Sequence, residues 1–301
     1  IINKINNKII YNILLMIDYL IIGTGISGLN LALKLSKEHK NKHIVLVDSS
    51  NTYGGRIQTI YENDYSYESG AARFNKLHKN LLSYITKYNL DSKKEKIPSS
   101  WSFINTQKSF NSKFKDVNAL LDFLINKYKN IDNKTKKYLI SKNLYDVCID
   151  VLGQDEANFL SNSHPYYSEI FILNAYDAIL LFRDDLNEKL QFYVLDGGLS
   201  QITKNIYKEC KSNGCEFKFN LQFNKSKYDE NTNTFLNSLS DLEGNITNIN
   251  SKNLILAIDG KGFQKIKLSN FDKYMNQKKL KFKDLQNSIN VQPLLRTYAK
   301  L

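Results

Sequence analysis

The sequence predicts an α/β protein, and three features near its start support this prediction. Residues 18–22 form a short apolar run that is typical of a buried strand. A glycine-rich turn follows at 23–28, and apolar residues then recur at helical spacing. Residues 43–47 are a second apolar strand, which ends at Asp48. Strand, turn, helix and strand in this order predict a β-α-β unit.

The turn has the spacing Gly23-x-Gly25-x-x-Gly28, with Ile26 and Ser27 before the last glycine. Gly23 permits a tight turn, and Gly25 has no Cβ to keep a pyrophosphate away from the backbone. Gly28 lets the helix pack close to the strand. The N–H groups at the start of the helix would face the phosphates. The unit is therefore predicted to bind a dinucleotide in a Rossmann-like fold.

Asp48 follows Gly28 by twenty residues, the distance at which this type of unit places an acid at the end of its second strand. Its carboxylate can accept hydrogen bonds from the adenosine ribose hydroxyls, and its charge would repel a 2′-phosphate. NADP is therefore disfavoured as the ligand. Ser49, the next residue, is assigned to the same nucleotide site.

A second glycine motif, Gly54-Gly55-Arg56, comes six residues after Asp48. The two glycines permit close backbone approach, and a guanidinium can pair with a phosphate. Only four of the 42 basic residues are Arg, so an Arg at this position is more informative than a Lys would be.

The dinucleotide turn followed by Gly-Gly-Arg resembles the flavin-containing amine oxidase family, which includes monoamine, polyamine and L-amino-acid oxidases. The resemblance implies that this segment binds FAD, with Arg56 beside the pyrophosphate. It also implies the fold: a Rossmann-like FAD-binding domain with a discontinuous α+β substrate domain.

Residues 68–74, Glu-Ser-Gly-Ala-Ala-Arg-Phe, are similar to a family segment whose Arg lies beside the flavin and pairs with the substrate carboxylate. The resemblance implies that Arg73 binds the substrate and that Gly70, Ala71 and Ala72 lie against the cofactor. An alternative remains open, in which Arg73 contacts only the FAD or supports the turn.

Weaker family likenesses follow along the chain. Gly197-Gly198, after a strand-like run at 192–195, resembles the segment where the family's chain returns to the flavin domain. The alternating run 216–223 resembles the strand whose backbone meets the adenine, which assigns Phe223 to the cofactor site. Arg296 aligns with a Lys that holds a water against the flavin in many amine oxidases, and it is the candidate catalytic position. Helical patterns cover 77–88, 118–128, 136–151 and 169–182.

The resemblance divides the chain into domains. We expect residues 16–90 and 191–262 to form the FAD-binding domain, and 91–190 with 263–301 to form an incomplete substrate domain. Residues 1–15 are expected to be a non-native or dispensable extension, and the chain is expected to be a fragment of a longer oxidase.

The implied function is FAD-dependent oxidation of an amine or L-amino acid. In the family, a hydride equivalent passes from Cα to flavin N5, the imine hydrolyses, and oxygen reoxidises the flavin to give peroxide. One alternative is another flavoprotein of the same fold, such as a desaturase or a protoporphyrinogen oxidase. The other is a degenerate FAD-binding protein without activity, which Arg296 and the missing end would favour.

Composition restricts the partners. The net charge of +12 comes mainly from scattered Lys, and no aromatic stacking motif accompanies it, so no nucleic-acid partner is predicted. The three cysteines, Cys148, Cys210 and Cys215, have no paired spacing, which predicts a reducing compartment, no disulfide framework and no metal site. With no signal peptide or membrane span recognised, the expected location is the cytoplasm.

Overall fold

A computed structural model describes residues 16–63, 65–98, 112–184, 190–270 and 281–289. The chain divides into two compact units: one is built from residues up to Glu95 and from Tyr193 onward, and the other is Lys96–Phe192. The segment 1–15 and Arg296, both assigned from sequence, lie outside the described residues.

Strands belong mainly to the first unit. In chain order, the strands of the described residues are β1 (Ile17–Ile22), β2 (Ile44–Val47), β3 (Thr59–Glu62), β4 (Tyr65–Glu68), β5 (Lys94–Lys96), β6 (Tyr193–Leu195), β7 (Glu216–Lys218), β8 (Gln222–Asp229), β9 (Thr234–Ser240), β10 (Ile246–Leu256) and β11 (Lys267–Ser269). Seven of these strands form one sheet in the order β11-β8-β9-β10-β1-β2-β7. Strands β3 and β4 form a separate hairpin, and β5 pairs with β6.

Helices occur in both units. They are α1 (Ile26–Glu38), α2 (Lys79–Lys87), α3 (Val117–Lys127), α4 (Asn133–Ile140), α5 (Leu144–Leu152), α6 (Gln154–Ser163), α7 (Tyr167–Phe171), α8 (Ala175–Asp184), α9 (Ser200–Ser212), α10 (Gly260–Lys265) and α11 (Phe282–Asn287). Within the described residues, no helix combines the length and the apolar character that crossing a bilayer requires.

The predicted β-α-β unit is present, and its sheet is buried on both faces. Strands β1 and β2 are parallel neighbours, with Leu20 opposite Val45. Side chains alternate between two cores, as a strand requires. Ile21 and Leu46 pack on the side of α1 and α9, while Leu20 and Val45 pack on the opposite side. Strands covered on both faces read as continuous apolar runs, which is why this unit is recognisable in the sequence.

The described part of the second unit is helical, from α3 to α8, around one apolar core. Two of the predicted helices are each broken into two. The helix predicted over 136–151 is interrupted at Asn143, whose side chain accepts a hydrogen bond from the Asp146 N–H at 2.8 Å and so starts α5. The helix predicted over 169–182 is interrupted at Asn174, whose side chain accepts a hydrogen bond from the Asp177 N–H at 3.0 Å and so starts α8. An Asn side chain that caps one helix competes with continuation of the helix before it.

Two other boundaries differ from the sequence prediction. The strand predicted over 216–223 is two strands, because the chain turns at Asn220, where φ is 57°. The described residues of 263–301, assigned to the second domain, belong to the first unit. Ile266 and Phe282 are buried in the same core as Phe223, and β11 pairs with β8 in parallel.

His164, to which the sequence analysis gives no role, lies at the end of α6 in an aromatic environment. Its ring is 4.9 Å from that of Phe182 and 5.1 Å from that of Tyr166, and Nδ1 accepts the Tyr166 N–H at 3.3 Å. Burial lowers the pKa of the imidazole to about 4. The neutral ring is therefore the form that the folded protein accommodates.

We predict that His164 makes the protein sensitive to acid. An unfolded His binds a proton below about pH 6.5, whereas the folded ring resists protonation until about pH 4. Stability from this group is therefore complete above pH 6.5 and is lost as the pH falls towards 4, with a loss on the order of 2 kcal/mol at pH 5. Urea unfolding at pH 7 and pH 5 measures this loss.

The variant His164→Phe removes the titrating group and should lose less stability than the parent between the two pH values. His39→Phe makes the same replacement at an exposed position and should behave as the parent does. Equal losses in the parent and in His164→Phe would contradict the assignment.

Candidate functional site

The first glycine turn is required by close backbone packing. Gly23 has a φ of +104°, and a Cβ there would lie 2.4 Å from the carbonyl oxygen of Ala257, which follows β10. A Cβ on Gly28 would lie 2.0 Å from the carbonyl oxygen of Gly23. Neither backbone oxygen can move aside without breaking the turn. The fold itself therefore demands glycine at these two positions.

Gly25 has a different role. Its φ is −67°, which any residue adopts, and a Cβ there would meet nothing nearer than the Gly55 Cα at 3.9 Å. The helix that starts at Ile26 carries no side-chain cap and no acid in its first turn, and Ser27 is exposed. The N–H groups of the first turn are therefore available to an anion.

The Gly54-Gly55-Arg56 loop lies directly on this turn. The Gly54 N–H donates to the carbonyl oxygen of Thr24 at 2.9 Å. Gly55 has a φ of +59°, and a Cβ there would approach the Gly25 Cα to 3.1 Å. The Arg56 side chain is exposed. The first two predicted motifs are thus joined through their backbones.

The third motif continues this arrangement. The Ala71 N–H donates to the carbonyl oxygen of Arg56 at 2.8 Å, and a Cβ on Gly70 would lie 1.9 Å from the same oxygen. Ala71 is exposed, whereas Ala72 and Arg73 are half-buried. Backbone contacts therefore connect the segments at 23–28, 54–56 and 70–73 in sequence.

A polar latch that sequence reasoning missed holds the hairpin β3–β4. The Glu68 carboxylate accepts hydrogen bonds from the Leu199 N–H at 2.6 Å and from the Thr59 hydroxyl at 3.1 Å. Gly198 fits beside this pair, since a Cβ there would lie 2.2 Å from the Thr59 Oγ1. The latch fixes the strand that leads into Gly70. The sequence does not predict this role of Glu68, because the residue has the pattern of an ordinary strand residue.

The carboxylate of Asp48 is held at the end of β2 by protein donors. Oδ2 accepts the Thr24 N–H at 2.7 Å and the Thr24 hydroxyl at 2.8 Å, while Oδ1 accepts the Ser50 N–H at 3.0 Å. Burial opposes ionisation, but the bonds from Ser50 and Thr24 outweigh it and hold the pKa of this carboxyl below its usual value. Ser49, which lies between Asp48 and Ser50 in the chain, is exposed.

The segment that contains Phe223 begins beside Asp48. The Leu221 N–H donates to the carbonyl oxygen of Asp48 at 3.0 Å, and the Asn220 N–H donates to that of Ser50 at 2.8 Å. The Phe223 side chain is 3% exposed and belongs to the core, so this side chain offers no surface to a ligand.

A family model described as flavin containing amine oxidoreductase matches residues 26–288. The chain belongs to this family. The matched range covers α1, both later glycine motifs and the described part of the second unit, so the resemblance inferred from the motifs is confirmed.

Solved structures give the same fold. Wild-type putrescine oxidase bound to putrescine aligns with a TM-score of 0.62 at 15% identity, covering 87% of this chain and 63% of that one. A triple mutant of putrescine oxidase aligns with a TM-score of 0.61, also at 15% identity, and covers 84% and 60%. The predicted fold class is confirmed. The chain spans about 63% of the length of the structure it matches.

A viral protein provides a sequence relative. Uncharacterized protein R188 of Acanthamoeba polyphaga mimivirus is 31% identical over 81 residues, which are 26% of this chain and 16% of that protein.

The residues present fit the phosphates of a flavin nucleotide. The fit rests on two observations. A Cβ at Gly25 would meet no atom nearer than the Gly55 Cα at 3.9 Å, so the space beside this residue is open. The start of α1 has no side-chain cap. Arg56 adds an exposed cation to the loop that lies on this turn.

We predict that Gly25→Ala lowers flavin affinity and leaves stability nearly unchanged, whereas Gly28→Ala lowers stability. In Gly25→Ala the new methyl group has room in the protein but occupies the approach of a pyrophosphate, so stability should change by less than about 1 kcal/mol. Flavin affinity should fall about 100-fold. In Gly28→Ala the methyl group meets a backbone oxygen, so unfolding should become easier by about 3 kcal/mol or more.

Thermal unfolding of the cofactor-free chain and flavin titration by fluorescence quenching measure the two effects. If Gly25→Ala binds flavin as tightly as the parent does, the pyrophosphate does not lie at this turn.

Proposed function

We propose that this chain holds FAD and takes part in the oxidation of an amine or an L-amino acid. The observation that carries the proposal is a series of backbone contacts, which joins the uncapped start of α1 to the segment 54–56 and that segment to 70–73. Membership of the flavin-containing amine oxidoreductase family supports it. The first test is the absorbance spectrum of the purified chain after incubation with FAD and removal of excess. Absence of flavin bands would contradict the proposal.

Gly25 and Arg56 hold the pyrophosphate, and Asp48 binds the adenosine ribose. The Ser50 hydroxyl supports the last assignment, because its oxygen lies 2.8 Å from the Asp48 Oδ1 and 2.6 Å from the Thr52 carbonyl oxygen. One hydroxyl proton cannot serve both acceptors. When it is donated to Thr52, the Asp48 Oδ1 has a lone pair for a ribose hydroxyl.

The remaining nucleotide contacts come from backbones. Gly70, Ala71 and Ala72 bring the main chain close to the ring system of the flavin. The backbone of Phe223, in the segment that starts beside Asp48, would hold the adenine.

Bound flavin would supply the redox chemistry of the oxidation, and the protein would supply binding, orientation and electrostatics. The task of Arg73 is to hold the substrate carboxylate through a bidentate pair, which would fix the orientation of the reacting carbon. The segment that leads to Arg73 is held by the Ala71–Arg56 hydrogen bond and by the Glu68 latch, and the Arg73 side chain is half-buried. Such a residue favours amino acids over simple amines.

The first unit is the FAD-binding part, and the second unit provides a substrate domain. The small-molecule partners are the amine or amino acid and oxygen, without a nucleic-acid partner. The proposed location is the cytoplasm.

We predict that Arg56→Gln weakens FAD binding by about tenfold or more, because a charge-assisted contact with the pyrophosphate is lost. Arg183→Gln is the matched control. Arg183 pairs with Asp184 on α8, in the second unit, and its loss should leave FAD affinity unchanged. The Kd for FAD of each variant tests the assignment, and equal affinities would sink it.

We predict that Arg73→Gln spares FAD binding but lowers kcat/KM for amino acids by about 100-fold, which is the loss expected for one bidentate carboxylate pair. Peroxide release by the flavin-loaded protein measures turnover, with amines that lack a carboxylate as a second substrate set. The kcat/KM for these amines should change little.

Two outcomes would contradict the role of Arg73. One is an equal loss of turnover for amines and amino acids. The other is loss of FAD itself, which would place Arg73 on the cofactor.

A further inference from the structure

The carboxyl end of α9 brings two cysteines together. Gly214 has a φ of +87°, its N–H donates to the carbonyl oxygen of Lys211 at 3.0 Å, and the Cys215 N–H donates to that of Cys210 at 3.0 Å. These two hydrogen bonds define a Schellman motif, in which the residue after the glycine packs on the last turn of the helix. Here both members of that contact are cysteines.

Both thiols are free, buried and close to the dinucleotide unit. Cys210 is completely buried and Cys215 is 4% exposed. The Cys210 Sγ lies 3.5 Å from the carbonyl oxygen of Leu29, the residue that follows Gly28 in α1. The Cys215 N–H donates to the Cys210 carbonyl oxygen, so the two cysteines are direct neighbours at the end of α9. The proposed function uses neither cysteine.

We propose that Cys210 and Cys215 are a dithiol site, which hydrogen peroxide converts into a disulfide. A disulfide requires Cα atoms about 4.4–6.8 Å apart with side chains that face each other. Two residues joined by the longer hydrogen bond of a Schellman motif are neighbours on this scale, and this motif commonly packs their side chains against each other. The bond can therefore form without unwinding α9.

Cys215 is the thiol that reacts first. It is the less buried of the two, and it follows an exposed glycine at the end of the helix. The neighbouring Cys210 thiol lowers the pKa of the Cys215 thiol, against the opposing effect of burial, and the Ser36 hydroxyl acts in the same direction. A lower pKa raises the fraction of reactive thiolate.

The reaction balances in two steps. The Cys215 sulfur attacks one peroxide oxygen, the O–O bond breaks, and one water leaves, so that this sulfur becomes a sulfenic acid. The Cys210 sulfur then attacks the Cys215 sulfur, the S–S bond forms as the S–O bond breaks, and the second water leaves with the Cys210 proton. Two thiols and one peroxide give one disulfide and two waters.

Lys211 lies between the two cysteines and makes the product easy to identify. After peroxide treatment of the folded chain, blocking of remaining thiols and cleavage at Lys, the peptides with Cys210 and Cys215 should be recovered as one linked species. Dithiothreitol should separate them. Cys148, which is buried in the second unit, is the internal control and should stay reduced.

Two variants separate the roles of the thiols. In Cys210→Ser, peroxide should leave a sulfenic acid on Cys215 that dimedone traps, while in Cys215→Ser neither linkage nor trapping should be seen. If either serine variant fails to fold, the alanine variants and the parent peptide map carry the same test.

Three results would overturn the proposal: no linked peptide in the parent, direct oxidation of Cys215 to sulfinic acid without linkage, or oxidation of Cys148 to the same extent as the pair. The peroxide is added in every experiment, so the outcome does not depend on whether the protein is an oxidase. A chain without FAD or turnover could still form the disulfide, and an active oxidase could fail to form it.

Discussion

The first unit depends on backbone-to-backbone contacts that leave no room for a Cβ. Gly23 lies on the carbonyl oxygen of Ala257, Gly28 lies on that of Gly23, and Gly70 lies on that of Arg56. Each contact fixes the backbone of a loop in the first unit against a neighbouring carbonyl oxygen. A flexible side chain could move away from an intruding methyl group, whereas a carbonyl oxygen in a hydrogen-bonded turn cannot. Sterics, rather than any single hydrogen bond, therefore determine how the loops are arranged.

The β-α-β unit could be predicted because all of its information is local. Strand, turn, helix and second strand follow one another within about thirty residues, and each carries a periodic apolar pattern. The hydrogen bonds between Thr24 and Asp48 lie within this unit, whose spacing predicts an acid at the end of the second strand. The latch between Glu68 and Leu199 is different, because these two residues are 131 apart in the sequence. Nothing in the type or spacing of Glu68 and Leu199 indicates that they meet.

Some sequence predictions differ from the structure for physical reasons. The helix breaks at Asn143 and Asn174 could have been predicted from the sequence, because an Asn followed by an Asp three residues later is a capping pattern. The apolar periodicity across each break favoured one continuous helix instead. Assignment of the residues after 262 to a domain was not accessible, since the apolar character of Ile266 and Phe282 shows that they are buried without showing in which core. That choice depends on the parallel pairing of β11 with β8, a long-range contact.

The place where the chain leaves and rejoins the first unit has a consequence for how this architecture can change. Strands β5 and β6 pair with each other, so the Ile97 N–H meets the Phe192 carbonyl oxygen at 2.9 Å and the Asp196 N–H meets that of Lys93 at 2.8 Å. The segment 97–192 therefore begins and ends at the same pair of hydrogen-bonded strands. The entropy of closing such a loop grows only slowly with its length. Insertions, deletions and helix rearrangements within 97–192 can therefore accumulate without shifting the register of β1, β2 or β10, and the two units can evolve at different rates.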